Sequence, residues 1–274
     1  MNISIIFHDL DGCLNPSDGE DFGSGTEAHL SAQQCDTLKR LGDAIENSTL
    51  EHFVINTGRG IADTFFIAEK IPTQKLRYCL LEHSGYAWDM VKNKRIDLNA
   101  MALKLGQNDY VRKYRGMVNI HQLLDWFLED GAIEYEKEFG LKFEFLEKDS
   151  NLSILTPPGV RPETMIHNLK DFIDRQYPNN QFIYCYSHAY IDVLCDIHKS
   201  DGAKLLCKDL GIAEDQALIV GDGMNDLDIF NKFSTLLCPN NAHPDLQKLC
   251  LQNGGIVSDF KYADATFNIL NKIN

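Results

Sequence analysis

The chain has 274 residues, 44% of them hydrophobic and 24% charged, with 40 acidic against 26 basic side chains and a formal charge of -14. Such a composition is that of a globular protein with ample material for a core, in one large domain or two smaller ones. The acidic balance argues against a nucleic-acid surface or an anionic membrane as partner, and no apolar run is long enough to span a bilayer. Eight cysteines are present, none in a Cys-x-x-Cys pair, which suits neither a zinc site nor a disulfide framework. The amino terminus has no basic segment and reaches an acidic motif by residue 9, so no secretion signal is expected and the protein is expected in the cytoplasm. The glycosylation patterns at Asn47 and Asn151 are then chance matches.

In chain order, Ile3 to Phe7 is an apolar, β-branched run that reads as a buried strand ending in His8-Asp9-Leu10-Asp11-Gly12. Taken alone, Asp-Leu-Asp-Gly is as well explained by a turn as by a site. Residues 15–30 read as a mobile loop, and lack the third glycine of a dinucleotide fingerprint. A helix is expected from Ser31 to Glu46, then a strand at Phe53–Ile55 ending in Asn56-Thr57-Gly58-Arg59. A second helix runs from Ile61 to Lys70, and a third strand at Tyr78–Leu81 ends in Glu82-His83-Ser84-Gly85. This β-α-β-α-β alternation argues for a parallel sheet.

The rhythm changes between residues 86 and 190. Asn119–Glu129 carries a helical apolar stripe, and Leu141–Phe145 alternates as a half-exposed antiparallel strand that Asn151–Leu155 can pair. A helix over Glu163–Arg175 and a hairpin of Gln181–Tyr186 with Tyr190–Cys195 complete an inserted α+β unit. The earlier rhythm then returns. Lys199-Ser200-Asp201-Gly202 precedes a helix over Ala203–Leu210. Ala217–Val220 is a buried strand ending in Gly221-Asp222-Gly223-Met224-Asn225-Asp226, and Thr235–Cys238 is a further strand. The predicted fold is α/β: a doubly wound, Rossmann-like parallel core over residues 1–85 and 191–274, with an α+β insertion over 86–190.

Ligands in open α/β sheets bind beyond the carboxyl ends of the strands. Asp9 and Asp11, Thr57 and Arg59, Lys199, and Asp222 and Asp226 can therefore converge there. Clustered carboxylates make a hard oxygen site suited to Mg²⁺, and a threonine hydroxyl with a lysine ammonium would hold phosphate oxygens.

These residues, in this order, resemble the four motifs of the haloacid-dehalogenase-type phosphatase superfamily: Asp9-Leu10-Asp11-Gly12, Thr57, Lys199, and Gly221-Asp222 through Asp226. The resemblance reaches Asn241-Ala242 and so covers nearly the whole chain. An insertion between Thr57 and Lys199 is similar to the capped branch of Cof-type and sucrose-phosphate phosphatases, with phosphomannomutases as relatives. It implies Asp9 as nucleophile and Asp11 as acid, then base. Mg²⁺ would rest on Asp9, the Asp11 carbonyl and Asp222, with Asp226 nearby or acting through water, while Thr57 and Lys199 hold the phosphoryl group. Gly58, Arg59, Asn225, His83 and His188 are the candidate substrate contacts, with Tyr190 as a further one; Arg59 reads equally as the partner of a nearby acid and His83 as a hydrogen-bonded hinge residue, and the cap is expected to close over the substrate. Two departures stand out. Cys13 replaces the usual threonine, and Lys199 is separated from Gly202, which leaves Lys204 as a rival. His8 is expected to face away from the site, and Trp88 and Trp126 to be packing residues. The expected activity is Mg²⁺-dependent hydrolysis of a small phosphate ester, a sugar phosphate first. A sugar phosphomutase and a catalytically weak binding protein are the alternatives, and a dehalogenase is disfavoured because that branch lacks the second acid.

Overall fold

The computed structural model describes residues 3–15, 30–142, 144–146, 148–186 and 190–273. The expected loop at 15–30 and the expected contact His188 therefore fall almost wholly outside the described residues. From residue 3 to 105 the elements are β1 (Ile5–His8), α1 (Ala32–Asn47), β2 (His52–Asn56), α2 (Ile61–Ala68), β3 (Leu76–Leu81), β4 (Tyr86–Asp89), β5 (Lys94–Ile96) and α3 (Leu98–Lys104). There follow α4 (Asn108–Tyr114), α5 (Met117–Trp126), α6 (Ala132–Phe139), β6 (Glu144–Leu146), β7 (Asn151–Leu155), α7 (Pro162–Gln176), β8 (Ile183–Tyr186) and β9 (Tyr190–Leu194). The last stretch holds α8 (Lys199–Leu210), β10 (Ala217–Val220), α9 (Leu227–Lys232), β11 (Thr235–Cys238), α10 (Pro244–Gln252), β12 (Ile256–Val257) and α11 (Tyr262–Ile273).

The chain divides into two compact units, residues 1–105 with 198–274 and residues 106–197. The first holds an eight-stranded sheet in the order β12-β11-β10-β1-β2-β3-β4-β5, parallel from β12 to β3 and antiparallel over the last two pairs. Its strands alternate between two apolar layers. Ile6, Phe53, Ile55, Leu218 and Val220 share one core with Leu38, Leu41 and Ile45 of α1 and Leu270 of α11. α3 and α9 pack against α8, which itself lies on β3. Two faces covered by helices are what a buried parallel sheet requires. α1 starts where the sequence says it should. Ser31 Oγ accepts from Gln34 N–H at 3.2 Å and Gln34 Oε1 accepts from Ser31 N–H at 2.6 Å, a reciprocal capping box.

Residues 86–96 were expected in the insertion. They instead extend the large sheet, because the chain reverses after β3 and Tyr86–Asp89 pairs back along Tyr78–Leu81. At the far end β9 belongs to the second unit, through its pairing with both β7 and β8. The units thus meet in sequence at 105/106 and 197/198, where boundaries were expected at 85/86 and 190/191.

The second unit has an antiparallel sheet in the order β6-β7-β9-β8. Leu152, Ile154, Ile191 and Val193 are buried on one parity of the sheet, and Met165, Leu169, Phe172 and Ile173 form the buried stripe of α7. Trp126 stacks on Phe172 at 5.6 Å and is a packing residue, as expected. Trp88, in the first unit, packs edge-on against Phe65.

Candidate active site

Register positions the site. His8 of β1 lies opposite Val220 of β10 on one side and Ile55 of β2 on the other. The residues that follow, Asp9, Gly221-Asp222 and Asn56-Thr57, therefore leave the sheet at one level. His8 turns away, and its ring nitrogens meet Thr266 Oγ1 and the Asp9 carbonyl, each at 2.7 Å. Burial lowers its pKa to about 4, so it sits neutral.

Asp9, Asp222 and Asp226 are buried, and each offers a carboxylate oxygen within 4.8 Å of the others. Lys199, in the first turn of α8, reaches into this group. Its Nζ lies 2.9 Å from Asp9 Oδ1 and 2.7 Å from Asp226 Oδ1, with the side chain 1% exposed. Its backbone carbonyl accepts from Asn56 Nδ2 at 3.2 Å and from Ser84 Oγ at 3.3 Å, which ties the start of α8 to the ends of β2 and β3. Leu10 N–H also donates to Asp9 Oδ1, at 2.8 Å, so two donors hold one oxygen, and Oδ2 has no hydrogen-bond partner among the described residues. Asp226 Oδ2 accepts from the N–H groups of Asp222 at 3.1 Å and Gly223 at 3.3 Å, tying the β10 turn together.

Three carboxylates share one ammonium, and the charges show it. Burial, then the Asp226 charge, pushes the Asp9 carboxyl up against the pull of Lys199. Burial, then Asp9 and Asp226, pushes Asp222 up as well. For Lys199 burial works against the charge, but Asp226 and Asp9 outweigh it and hold the ammonium protonated. Fully ionised, the three buried carboxylates would carry more negative charge than Lys199 offsets. An all-oxygen donor set with excess negative charge fits a hard divalent cation.

Asp11 is not part of that cluster. Its carboxylate is held by Arg59, whose Nε and Nη2 donate to Oδ2 and Oδ1 at 2.7 Å each. Thr57 is buried, and its Oγ1 accepts from Arg59 N–H at 3.1 Å, leaving the hydroxyl hydrogen to donate elsewhere. Behind these lies a left-handed turn. Glu82, His83 and Ser84 have φ of 48°, 58° and 70°, an uncommon run for residues with side chains. Glu82 N–H donates to the Arg59 carbonyl and His83 N–H to the Thr57 carbonyl. The His83 ring covers Gly58 so closely that a Cβ there would lie 2.6 Å from Nε2.

The structure thus brings together Asp9, Lys199, Asp222 and Asp226, has Thr57 follow β2 beside β1, places Asp11 with Arg59, and sets Gly58 against His83. Asn225 sits half-buried in the turn before α9. Lys204 lies elsewhere: its Nζ is 3.5 Å from Glu214 and 38% of the side chain is exposed. Cys13 is buried with Sγ 3.7 Å from Asp222 Oδ1, and burial and the Asp222 charge push its thiol up, against reactivity. Two asparagines quoted in the motif stretches have contacts that the sequence did not assign. Asn56 holds Lys199 as described, and Asn241 Nδ2 donates to the Gly12 carbonyl at 2.7 Å. Their positions at strand ends were the available signal.

Gly12 itself has φ +70° and faces Asp222, and a Cβ there would overlap the Asp222 carboxylate. Gly12→Ala is expected to destabilise the protein by about 2 kcal/mol or more, the sum of left-handed strain and displaced carboxylate. Denaturant unfolding measures this, and an unchanged midpoint would contradict the close approach of the two turns.

The family model for haloacid dehalogenase-like hydrolases matches residues 6–255. No curated protein sequence matches the chain. Among solved structures it is similar to the sucrose-phosphatase of Synechocystis in complex with sucrose and phosphate, with 15% identity over 99% of this chain and 98% of that one, TM-score 0.65. It is also similar to a HAD/COF-like hydrolase of Plasmodium vivax, at 16% identity, 99% and 95% coverage and TM-score 0.64. A phosphatase of the superfamily from Bacteroides thetaiotaomicron follows at 14% identity, 98% and 94% coverage and TM-score 0.57. Similarities at this identity establish the α/β core fold, and the family match spans most of the chain. The chain belongs to the haloacid dehalogenase-like hydrolases, an enzyme family whose structurally similar members here include phosphatases.

Proposed function

We propose that the protein is a Mg²⁺-dependent phosphomonoesterase that acts on a small phosphorylated metabolite through an aspartyl phosphate. The observation that carries this reading is Asp9, whose Oδ1 is fixed by Lys199 and Leu10 N–H beside two further buried carboxylates, while its Oδ2 has no hydrogen-bond partner among the described residues. A carboxylate pinned by one oxygen presents the other in a defined direction, as a nucleophile needs.

In the first step an Asp9 oxygen forms a bond to phosphorus while the ester P–O bond breaks, and the leaving oxygen takes a proton from Asp11. In the second step water attacks phosphorus, Asp11 receives the water's proton, and inorganic phosphate leaves with Asp9 restored. Thr57 donates its hydroxyl and Lys199 its ammonium to the phosphoryl oxygens, where negative charge is concentrated. Asp9, Asp222 and Asp226 would hold Mg²⁺, with the Asp11 carbonyl beside them. Bound there, the ion would supply charge neutralisation for the phosphoryl group. Residues 106–197 are read as the inserted cap of the family. The overall acidity of the chain is met locally by Lys199, Arg59 and the cation.

A sugar phosphate is the first class to test, because one similar structure is a sucrose-phosphatase seen with sucrose and phosphate. Phosphate release from a panel of phosphate esters is expected to require Mg²⁺ and to stop when EDTA removes it. Release that is indifferent to EDTA, or absent across the whole panel, would sink the proposal.

A further inference from the structure

Asp11 is engaged by Arg59 in the arrangement described. Both of its oxygens are taken by the Nε/Nη2 edge of Arg59, in the side-on bidentate geometry that suits a carboxylate. For Asp11 to serve the leaving oxygen, that edge must withdraw. Arg59 has a second acid within range, but on another nitrogen: Nη1 is 4.0 Å from Asp63 Oδ2, one turn along α2. Asp63 can therefore steady the guanidinium without occupying the Nε/Nη2 edge. The pair also lies on the solvent side of the site, with Arg59 21% and Asp11 36% exposed, whereas Lys199 and Asp9 form its buried floor.

An edge that gives up Asp11 faces whatever Asp11 then serves, which is the alcohol part of the ester. A planar guanidinium fork is best matched by another carboxylate or a phosphate. We infer that Arg59 exchanges Asp11 for a second anionic group on the leaving-group side of the substrate, so that the preferred esters carry a carboxylate or a second phosphate beside the one removed. This inference rests on the phosphatase reading above, and it narrows the substrate to phosphorylated acids and bisphosphates.

The test separates the two readings by measuring binding without turnover. In Asp9→Asn protein with Mg²⁺, calorimetry compares phosphoglycolate with ethyl phosphate, which has the same carbon count and no carboxylate. Phosphoglycolate is expected to bind about tenfold tighter or better, as a charge-assisted fork contact allows. Adding Arg59→Gln should bring the two ligands to within about twofold, and Arg59→Lys should keep part of the preference, as a charge without a fork. Should the glutamine variant fail to fold, the lysine variant carries the same comparison. Equal binding of the two ligands by Asp9→Asn, no binding of phosphoglycolate, or a preference that survives loss of Arg59 would overturn the inference. Phosphate release by the wild type is scored separately. A preference that depends on Arg59, with no release from either ester, would support Arg59 as the anion reader and count against the phosphatase.

Discussion

Asp9→Asn is expected to lower phosphate release by on the order of 10⁴-fold or more, the scale seen when a catalytic nucleophile is removed, with no loss of stability. The two halves of this result have one origin. Asparagine keeps a carbonyl oxygen for Lys199 Nζ and Leu10 N–H, so the local geometry survives. It cannot form an acyl phosphate that water then hydrolyses. Its neutrality also removes one of three buried carboxylates that share a single ammonium. Burial and the Asp226 charge already disfavour the ionised form of Asp9, so a neutral side chain fits the site without loss. Thermal unfolding without Mg²⁺ should therefore place the variant at or above the wild type. A variant that retains the wild-type rate would rule out Asp9 as nucleophile. One that is inactive only because it unfolds would show that the carboxylate is structural.

Lys199→Met should have the opposite signature. It removes the counter-ion and leaves Asp9 and Asp226 buried without it, a change that typically costs about 3–5 kcal/mol. The Lys199 carbonyl still accepts from Asn56 and Ser84, so the start of α8 is preserved and the loss reports on the side chain. Stability should return in large part in Lys199→Met/Asp226→Asn, because the double variant removes a negative charge along with the positive one. Activity should not return, since the phosphoryl group has lost its ammonium. Denaturant midpoints of the two single variants and the double, measured without Mg²⁺, give the coupling directly. A Lys199→Met protein as stable as the wild type would mean that the cluster is not held by charge balance.

Much of this site is legible before any folding is considered. The strands that carry Asp9, Thr57 and Asp222 are buried on both faces, so each is a short apolar run, and its end is marked where polar residues and glycine begin. The same local logic places α1, whose Ser31/Gln34 box and Leu38–Leu41–Ile45 stripe are sequence features. It fails for residues 86–96. A short strand pairing onto an edge has no strong period of its own, and only the neighbouring β3 makes Tyr86–Asp89 a strand. The helix that carries Lys199 was expected to begin at Ala203. Its first turn forms four residues earlier, where His198 N–H donates to Asp201 Oδ2, and Asn56 and Ser84, from distant strand ends, donate to the Lys199 carbonyl.

The sequence by itself determined the α/β class, the motif order and the identity of the acids, because buried parallel strands and the turns that end them are local patterns. It also named Lys199 without deciding between it and Lys204. Only the tertiary structure decided that Lys199 bridges Asp9 and Asp226 while Lys204 pairs with Glu214, that Arg59 holds Asp11, and that Gly12 lies against Asp222. Apart from the Lys204–Glu214 pair, each of these joins segments that follow different strands. Strand register sets such distances, and register comes from pairing across the sheet, which no single stretch of sequence contains.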